Sequence, residues 1–269
     1  MHKKIWMGML VALAGLALTA RAEDITMTGS TTVLPIAQKT AEVFMDKHPG
    51  INIAVRGGGS GVGIASIIDG TCDIGNASRP IKDKEIKNAM GKGSSPKANV
   101  VALDGIAVIV NPSNGITKLT IAQIKDIYTG KISNWSQAGG ANAQIVVISR
   151  DSSSGTFETF NELALGGAKV RPDALMQASN QAVATTVAQT PAGIGYVGLG
   201  YLSSSVKAVA VDGTMPSNQT VLSQKYKLAR PLFMYTNGEP KGAVKQYMDF
   251  VTGTEGQKIV EDLGFVGLK

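Results

Sequence analysis

The organisation of this chain is decided by RDSSSGTFETF, residues 150–160, which follows the strand-like run QIVVIS (144–149) and opens a helix-like run. Phe157 and Phe160 recur at helical spacing after the hydroxyl residues. A helix that begins among serines and threonines presents free backbone N–H groups and the positive end of its dipole, and both attract anions. Arg150 adds a planar donor fork suited to tetrahedral oxyanions. The stretch therefore predicts half of an oxyanion clamp, with an ordinary N-cap as the alternative.

The first 22 residues have the pattern of a secretory signal peptide. Two lysines precede an apolar run, and an AxA motif predicts cleavage after Ala22. The run is shorter than the roughly 20 apolar residues of a membrane span, and no later segment approaches that length. Removal of this segment lowers the formal charge from +6 to +3, because Lys3, Lys4 and Arg21 leave with it. The sequence predicts an exported, soluble protein.

Composition and charge argue against several classes of protein. The remaining positive charge is spread along the chain without basic clusters or interleaved aromatic residues, so we expect no nucleic-acid surface. Cys72 is the only cysteine, which excludes an internal disulfide, and its apolar neighbours predict a packed thiol. Histidine occurs twice, and His2 belongs to the predicted signal peptide. We expect no metal site and no cofactor, because the sequence has no motif for either.

Two earlier strand-to-helix turns also carry hydroxyl groups at predicted helix starts. The run ITMTGSTTVLP (25–35) reads as a strand, a turn and a helix opened by proline. The run INIAVRGGGSGVGI (51–64) repeats that order around a glycine-rich turn, which fits neither the dinucleotide fingerprint nor the Walker A loop. Glycines let the backbone approach a ligand closely. The turn residues of interest are Ser30, Thr31, Thr32, Ser60 and Gly61.

The alternation of strand-like and helix-like runs predicts an α/β fold in two lobes. VVALDGIAVIVNPSN (100–114) reads as a strand buried on both faces, and ARPLFMYTNGEP (229–240) as a second strand that returns to the first lobe. The lysine-rich and glycine-rich sequence that leads to Pro96 is predicted as surface chain. Two crossings without a flexible linker imply hinge closure over a cleft. The predicted units are a signal peptide (1–22), lobe 1 (23–104 plus 232–269) and lobe 2 (105–231).

Taken together, these pieces resemble the periplasmic phosphate-binding proteins of the high-affinity phosphate ABC transporter, the PstS-like family. The resemblance covers nearly the whole chain after the signal peptide. It rests on TGSTTVLP (28–35), GGGSGVGI (57–64), DIGNASRPI (73–81), LDGIAVIVNP (103–112), LTIAQIKDIYTGKISNW (119–135) and RDSSSGTFETF (150–160). It implies a two-lobed periplasmic-binding-protein-like fold of type II, with mixed sheets flanked by helices and a ligand cleft between the lobes. It also implies inorganic phosphate as ligand, an ABC permease in the inner membrane as partner, a periplasmic location and a monomer.

The resemblance also implies a set of phosphate ligands made of hydroxyls, backbone N–H groups, one arginine and usually one aspartate. Carried over by motif, the phosphate-binding residues are Ser30, Thr31, Thr32, Ser60, Gly61, Ser78, Arg150, Ser154, Gly155 and Thr156. The aspartate does not carry over, and Ser78 stands nearest to its position. A serine hydroxyl accepts the proton of HPO₄²⁻ but lacks the charge that repels sulfate, so we expect weaker rejection of sulfate unless Asp151 supplies the acceptor. Otherwise Asp151 orients Arg150, and Arg79 pairs across the cleft.

Three other functions stay open at this point. The first is an enzyme with a serine nucleophile in SSSGT, but the sequence has no GxSxG, SxxK, HExxH or P-loop motif, and His48 lies at a helix end. The second is a binding protein for sulfate, molybdate or phosphonate. The third is a cell-surface or biofilm-matrix role for the same fold. We predict ligand binding without catalysis, and therefore no catalytic residues.

Overall fold

The structure is a computed structural model that describes residues 23–268, so the predicted signal peptide lies outside the described residues. Its first part alternates strands and helices as the sequence predicts. These elements are β1 (Glu23–Gly29), α1 (Leu34–Lys47), β2 (Ile51–Gly57), α2 (Ser60–Ile68), β3 (Ile74–Ala77), α3 (Asp83–Gly91) and β4 (Pro96–Val110). Within the described range, no helix is long and apolar enough to cross a membrane.

The middle of the chain has shorter strands and several helices. They are β5 (Lys118–Leu119), α4 (Ile121–Thr129), β6 (Val146–Arg150), α5 (Gly155–Phe160), β7 (Leu175–Gln177), α6 (Asn180–Gln189), β8 (Gly193–Gly198), β9 (Lys207–Ala208), β10 (Ala210–Val211) and α7 (Asn218–Leu222). Helix α5 continues directly into a π-helical segment, Asn161–Leu165. The chain then ends with β11 (Ala229–Asn237), α8 (Gly242–Thr252) and α9 (Thr254–Asp262).

The lysine-rich stretch before Pro96 lies at the surface, as predicted, but it also contains helix α3, which the sequence analysis did not identify. Glu85, in the first turn of α3, accepts a hydrogen bond from the backbone N–H of Lys82 at 2.8 Å. This contact satisfies an N–H group that the helix itself leaves free. Ala89 is the only buried residue of α3. The helix therefore has almost no apolar face, and its sequence shows only a weak helical periodicity of apolar residues.

One mixed sheet runs through the described residues, in the order β2-β1-β3-β11-β4-β8-β6-β7, with β9 paired to β4. Strands β1, β2 and β3 are parallel, as are β6, β7 and β8. Between these groups lie β4 and β11, which pair with each other and with their outer neighbours in antiparallel fashion. The two long strands therefore connect the two α/β halves, which is the arrangement that two strand crossings predict.

The buried apolar residues form separate clusters on the two sides of Asp104 in strand β4. One cluster, the first core, includes Ile25, Phe44 and Ala102, and a smaller cluster covers the opposite face of the same strands. The other, the second core, includes Ile106 and Phe160. The predicted packing of Cys72 agrees with its half-buried position beside the smaller cluster, where burial raises the pKa of its thiol to about 11.

Candidate oxyanion-binding site

The starts of helices α1, α2, α5 and α6 meet between the first core and the second core. Strands β1, β2 and β6 each end three to five residues before one of these helices begins, so their carboxyl ends bring the loops to one place. Thr32, before α1, and Thr156, in α5, are joined by a hydroxyl–hydroxyl bond of 2.9 Å. Each helix start brings free N–H groups and a partial positive charge. Their convergence creates a region suited to an anion.

The loop after β1 is fixed by its own hydroxyl groups and by a tyrosine from the other side of the cleft. Ser30 Oγ accepts hydrogen bonds from the N–H groups of Thr32 and Val33, at 3.1 and 3.3 Å. The hydroxyl of Tyr201 donates to the carbonyl of Thr31. Burial raises the pKa of Tyr201 above its ordinary range, so this hydroxyl stays protonated and remains a donor. The loop is therefore held in one conformation from both sides.

The glycine-rich turn before α2 contacts the loop before α5 directly. Gly61 N–H donates to the carbonyl of Ser153 at 2.9 Å, and Ser153 Oγ donates to the carbonyl of Gly58 at 3.1 Å. Gly59 has a φ of +93°, and a Cβ there would lie 2.4 Å from Ser153 Oγ. The turn needs glycine both for its backbone conformation and for this close approach. In this structure the N–H of Gly61 serves the contact between the loops.

Ser60, Ser78 and Gly155 form a second close contact across the cleft. The N–H of Ser78 donates to Ser60 Oγ at 2.9 Å, and the two hydroxyl oxygens are 3.2 Å apart. A Cβ at Gly155 would lie 2.3 Å from Ser60 Oγ and 2.9 Å from Ser78 Oγ. Only a glycine allows the start of α5 to come this close to the start of α2. The cleft is closed in this structure.

Arg150 ends strand β6 with its side chain buried, 1% exposed. Its Nε donates to the carbonyl of Gln177 at 2.9 Å and its Nη2 to that of Ala178 at 3.1 Å. Its Nη1 is buried and has no hydrogen-bond partner within residues 23–268. Burial lowers the pKa of Arg150, Asp151 opposes that effect, and Arg230 adds a nearby positive charge. The guanidinium is held by neutral carbonyls and keeps one donor group free.

Asp151 and Ser154 both accept hydrogen bonds from backbone N–H groups at the start of α5, as residues of an ordinary helix cap do. Asp151 Oδ1 accepts a hydrogen bond from the N–H of Ser153 at 2.8 Å, and Asp151 Oδ2 lies 3.8 Å from Arg150 Nη2, too far for a hydrogen bond. Ser154 Oγ accepts from the N–H of Phe157 at 3.1 Å and is therefore the N-cap of α5. Asp151 is an electrostatic neighbour of Arg150 at most, and the hydroxyl proton of Ser154 remains available to a ligand.

The sequence analysis missed Arg230 and Asp104, which face each other on the paired strands β11 and β4. Both are buried, and Arg230 Nε and Nη2 lie 3.1 and 2.9 Å from Asp104 Oδ2. Burial raises the pKa of Asp104 and lowers that of Arg230, while their mutual attraction opposes both shifts. Arg230 Nη2 also contacts Thr32 Oγ1 at 3.2 Å and Thr156 Oγ1 at 3.0 Å. A charge inside an otherwise apolar strand was the signal that could have identified either residue.

Asn180 was missed as well, because it follows Ser179 in what reads as an ordinary helix start. Ser179 is the N-cap of α6, and Asn180 is completely buried in its first turn. Its Nδ2 donates to Thr31 Oγ1 at 3.1 Å and to Thr32 Oγ1 at 3.0 Å. Its Oδ1 accepts from the N–H of Gly198 at 3.2 Å. Asn180 therefore links the start of α6 to the loop before α1.

All ten residues predicted as phosphate ligands lie in this network or in the loops that form it. Those with polar side chains are each at most 6% exposed. Hydroxyl contacts connect the loop before α1 to α5, and close packing connects α5 to α2 and Ser78. Arg150 joins through Gln177 and Ala178, which immediately precede the start of α6. The structure thus brings the predicted residues together, and their contact with phosphate stays a prediction.

An ion cluster joins the loop after β3 to helix α5 beside this site. Arg79 donates to both carboxylate oxygens of Glu85 at 2.8 Å, and these bonds raise the pKa of Arg79 and lower that of Glu85 although burial opposes both charges. Arg79 Nε lies 2.5 Å from Glu158 Oε2 and forms an ion pair with it, without hydrogen-bond alignment. Lys82 Nζ is 2.6 Å from the same oxygen. Arg79 thus pairs across the cleft, as predicted.

Comparisons with known proteins agree with this fold. A family model described as a PBP superfamily domain matches residues 17–255. The phosphate-binding protein PstS of Bacillus subtilis is 35% identical over 248 residues, which cover 90% of this chain and 80% of that protein. PstS of Borreliella burgdorferi is 34% identical over 253 residues, 90% of this chain and 88% of that protein.

Solved structures give the same result. A protein from Clostridium perfringens, described as a phosphate ABC transporter substrate-binding protein with bound phosphate, superposes with a TM-score of 0.86 at 35% identity and covers 92% of this chain and 100% of its own. An ABC-type phosphate transport receptor from Vibrio cholerae has a TM-score of 0.75 at 31% identity, covering 90% of this chain and 99% of its own. These similarities confirm the predicted family and the two-lobed α/β fold.

Proposed function

The chain belongs to the PstS family of the PBP superfamily, and we propose that it captures inorganic phosphate between its two lobes and delivers it to an ABC permease. The relatives are named as phosphate-binding proteins, and one solved relative is described with bound phosphate. We assign the protein as an extracytoplasmic solute-binding protein, exported by the predicted signal peptide to the periplasm. It binds phosphate as a monomer and releases it unchanged.

The free Nη1 group of Arg150 is the observation that carries this proposal. A buried guanidinium donor without a partner costs free energy, and an anion that accepts from it removes that cost. The hydroxyl groups of Thr32 and Thr156 are in contact, Ser154 is the N-cap of the helix that contains Thr156, and all three side chains are buried. Tetrahedral phosphate has enough oxygens to accept from an arginine, from hydroxyls and from the N–H groups of several helix starts at once. These donors replace the water that phosphate loses on entering the cleft.

Electrostatics support an anion at the same place. Arg150 and Arg230 are buried near each other, and the charge of Arg230 lowers the pKa of Arg150. Asp104 is the buried acid paired with Arg230, so Arg150 keeps a positive charge that no carboxylate within hydrogen-bond distance offsets among the described residues. A bound dianion supplies the negative charge that offsets the charge of Arg150, and it thereby stabilises the closed form. Phosphate therefore shifts the protein toward closure by its higher affinity for the closed form.

The hydroxyls of Ser60 and Ser78 are the groups we assign to the proton of HPO₄²⁻. Ser78 stands where the family usually has an aspartate, and its oxygen has room for an accepted hydrogen bond. A neutral acceptor binds that proton without repelling an unprotonated anion. We therefore expect phosphate to bind more tightly than sulfate. The ratio of the two affinities should be smaller than in a protein that has a carboxylate at the position of Ser78.

The lobes that close on phosphate are those predicted from the sequence, residues 23–104 plus 232–269 and residues 105–231. The change of cluster at Asp104 on β4 supports the first boundary, and the position of Arg230 and Leu232 on β11 supports the second. Closure brings together groups from both lobes that form one surface. We propose that the permease recognises this closed form.

Binding without catalysis is the other part of the proposal. His48 stacks on Phe44 and its ring Nδ1 contacts the carbonyl of Phe44, at the end of α1 opposite to the site. Helix α1 has 14 residues, so its ends are about 21 Å apart. No histidine is therefore placed to activate a serine of the site in the described part of the chain. We expect no turnover of phosphate esters.

Calorimetric titration of purified, extensively dialysed protein with phosphate and then with sulfate tests this function. We expect one phosphate per chain and weaker binding of sulfate. Absence of phosphate binding would overturn the assignment. Sulfate binding as tight as phosphate binding would also overturn it, in favour of a general receptor for tetrahedral oxyanions.

A further inference from the structure

We propose that Arg230 is a positioning residue that, together with Thr32, fixes the hydroxyl group of Thr156 as a donor toward the bound anion. This inference rests on the proposed function, because it concerns the same site. Arg230 itself is outside the set of residues predicted to touch the ligand. Its role is to decide the direction of hydrogen bonds that other residues make.

The geometry of the Arg230 guanidinium divides its donors between a carboxylate and the threonine pair. Nε and Nη2 both donate to Asp104 Oδ2. This contact occupies the one hydrogen of Nε and the Nη2 hydrogen that lies on the same side as Nε. The other Nη2 hydrogen faces Thr32 Oγ1 and Thr156 Oγ1, at 3.2 and 3.0 Å, and these oxygens are only 2.9 Å apart. One N–H group is therefore shared between the two hydroxyl oxygens. A guanidinium cannot accept a hydrogen bond, so both oxygens must act as acceptors here.

Asn180 supplies the second donor to Thr32. The amide can be oriented unambiguously, because Asn180 Oδ1 accepts from the N–H of Gly198 and Nδ2 must then face the threonines. Nδ2 lies 3.0 Å from Thr32 Oγ1. Thr32 Oγ1 thus accepts from Asn180 and from Arg230, which occupies both of its lone pairs.

The proton of Thr32 is then directed to Thr156, and the proton of Thr156 to the ligand. Because both lone pairs of Thr32 Oγ1 already accept hydrogen bonds, Thr32 must be the donor in its contact with Thr156. Thr156 Oγ1 is the acceptor, at 2.9 Å. Thr156 Oγ1 now accepts from Thr32 and from Arg230. No protein acceptor for the Thr156 proton occurs among residues 23–268, so that proton is free to bind an anion oxygen. The chain of hydrogen bonds runs in one direction, from Arg230 and Asn180 to the ligand.

This direction has a consequence for the ligand. The corner of the site beside Thr156 accepts an oxygen without a proton, because the hydroxyl there cannot accept a hydrogen bond. A protonated oxygen of phosphate must point elsewhere, toward Ser60 and Ser78, whose hydroxyls can accept. The network therefore fixes the orientation of HPO₄²⁻ in the cleft.

A double-mutant cycle between Arg230→Lys and Thr156→Val tests the proposal by phosphate titration. Lysine keeps the charge that pairs with Asp104 but not the planar fork that contacts both threonines. In the otherwise unchanged protein, Thr156→Val removes a hydrogen bond to an anion and should raise the Kd for phosphate on the order of tenfold or more. In the Arg230→Lys background we expect the same substitution to raise the Kd less than about threefold, because the hydroxyl is no longer fixed as a donor. Thr156→Ser, which keeps the hydroxyl, is the matched control in both backgrounds.

An equal cost of Thr156→Val in both backgrounds would overturn the proposal, since a merely structural Arg230 weakens binding without coupling to Thr156. If Arg230→Lys does not fold, the isosteric Asn180→Asp carries the same test. Its carboxylate still accepts from Gly198 N–H but has no hydrogen for Thr32, so Thr32 donates to it and Thr156 donates to Thr32. Thr156→Val should then cost little. An equal cost in that background also would contradict us.

These outcomes separate this inference from the proposed function. If the unchanged protein does not bind phosphate, the proposed function fails. If it binds phosphate and the two cycles are additive, only the role of Arg230 fails.

Discussion

Arg150 and Arg230 are both buried and lie near each other, but their partners differ. Arg230 contacts the buried carboxylate of Asp104 with two nitrogens, and its Nη1 donates to the carbonyl of Ser78 at 3.2 Å. Arg150 is held by two backbone carbonyls, and its Nη1 has no partner within residues 23–268. Arg230 is paired with a buried carboxylate, whereas no carboxylate lies within hydrogen-bond distance of Arg150 among residues 23–268.

This difference assigns the two arginines to different tasks. When one partner of a buried ion pair is removed, the other is left as an uncompensated buried charge, which destabilises the folded protein. A buried donor that is incomplete costs stability unless a ligand completes it, and such groups concentrate at binding sites. We therefore expect substitution of Arg230 to affect folding first, and substitution of Arg150 to affect phosphate binding first.

Arg230→Met should produce the largest effect, a loss of about 3–5 kcal/mol in the free energy of unfolding. The substitution leaves Asp104 buried without its cation. Urea denaturation of the protein without phosphate measures this loss. The double variant Arg230→Met with Asp104→Leu removes both charges and should recover part of the stability. Stability equal to that of the unchanged protein in the single variant would contradict the structural role.

Arg150→Met should weaken phosphate binding by about 1.5–3 kcal/mol, a roughly 10- to 150-fold increase in Kd. The variant loses the free donor but breaks no carboxylate hydrogen bond. Its free energy of unfolding without phosphate should be unchanged or higher, because an incompletely paired charge leaves the interior. Calorimetry and urea denaturation of the same sample separate the two effects. Unchanged affinity for phosphate would show that Arg150 is not a ligand.

Gly155→Ala tests whether both arginines act only when the cleft is closed. The new Cβ would lie 2.3 Å from Ser60 Oγ and 2.8 Å from Ser60 Cβ, so the closed form should lose about 1–3 kcal/mol. Phosphate affinity should fall by that amount, and small-angle scattering should show less compaction with phosphate. Gly91→Ala is the control, because a Cβ at that helical position meets no atom within 4 Å. Equal phosphate affinity in both variants would argue against tight packing at Gly155.

Glu158→Gln should give the smallest effect, about 1 kcal/mol or a roughly fivefold rise in the Kd for phosphate. Glu158 pairs with Arg79 and Lys82 across the cleft and is partly exposed. The loss should shrink at high salt, because salt already screens this contact in the unchanged protein. Glu162→Gln, an exposed position on the same helical stretch with no ion pair among the described residues, is the control. An equal loss of phosphate affinity at low and high salt would contradict an ionic contribution of Glu158 to closure.

Much of the fold and the hydroxyl part of the site could be predicted because their signals are local. Strand-to-helix turns with serine, threonine and glycine identify helix starts within a few residues, as at Ser30–Thr32 and Ser60. The apolar run around Asp104 likewise marks a central strand, β4. Arg150 follows a strand and precedes a cap, so its position at the site follows from the same local pattern.

The rest depends on contacts between residues that are distant in sequence. Arg230 and Asp104 are 126 residues apart and meet only through the antiparallel register of β4 and β11. Asn180 resembles any polar residue in a first helical turn until the loop before α1 packs against it. A charge within an apolar strand must find a partner, so the pair could be suspected, but the sequence does not say which partner.

The most direct test of the difference between the two arginines is a crystal structure of the phosphate complex at neutral pH. We expect Arg150 Nη1 about 2.8 Å from a phosphate oxygen, the distance of a charge-assisted hydrogen bond. Arg230 should still contact Asp104, Thr32 and Thr156, and should not touch phosphate. Phosphate held by Arg230, or bound away from Arg150, would contradict the account.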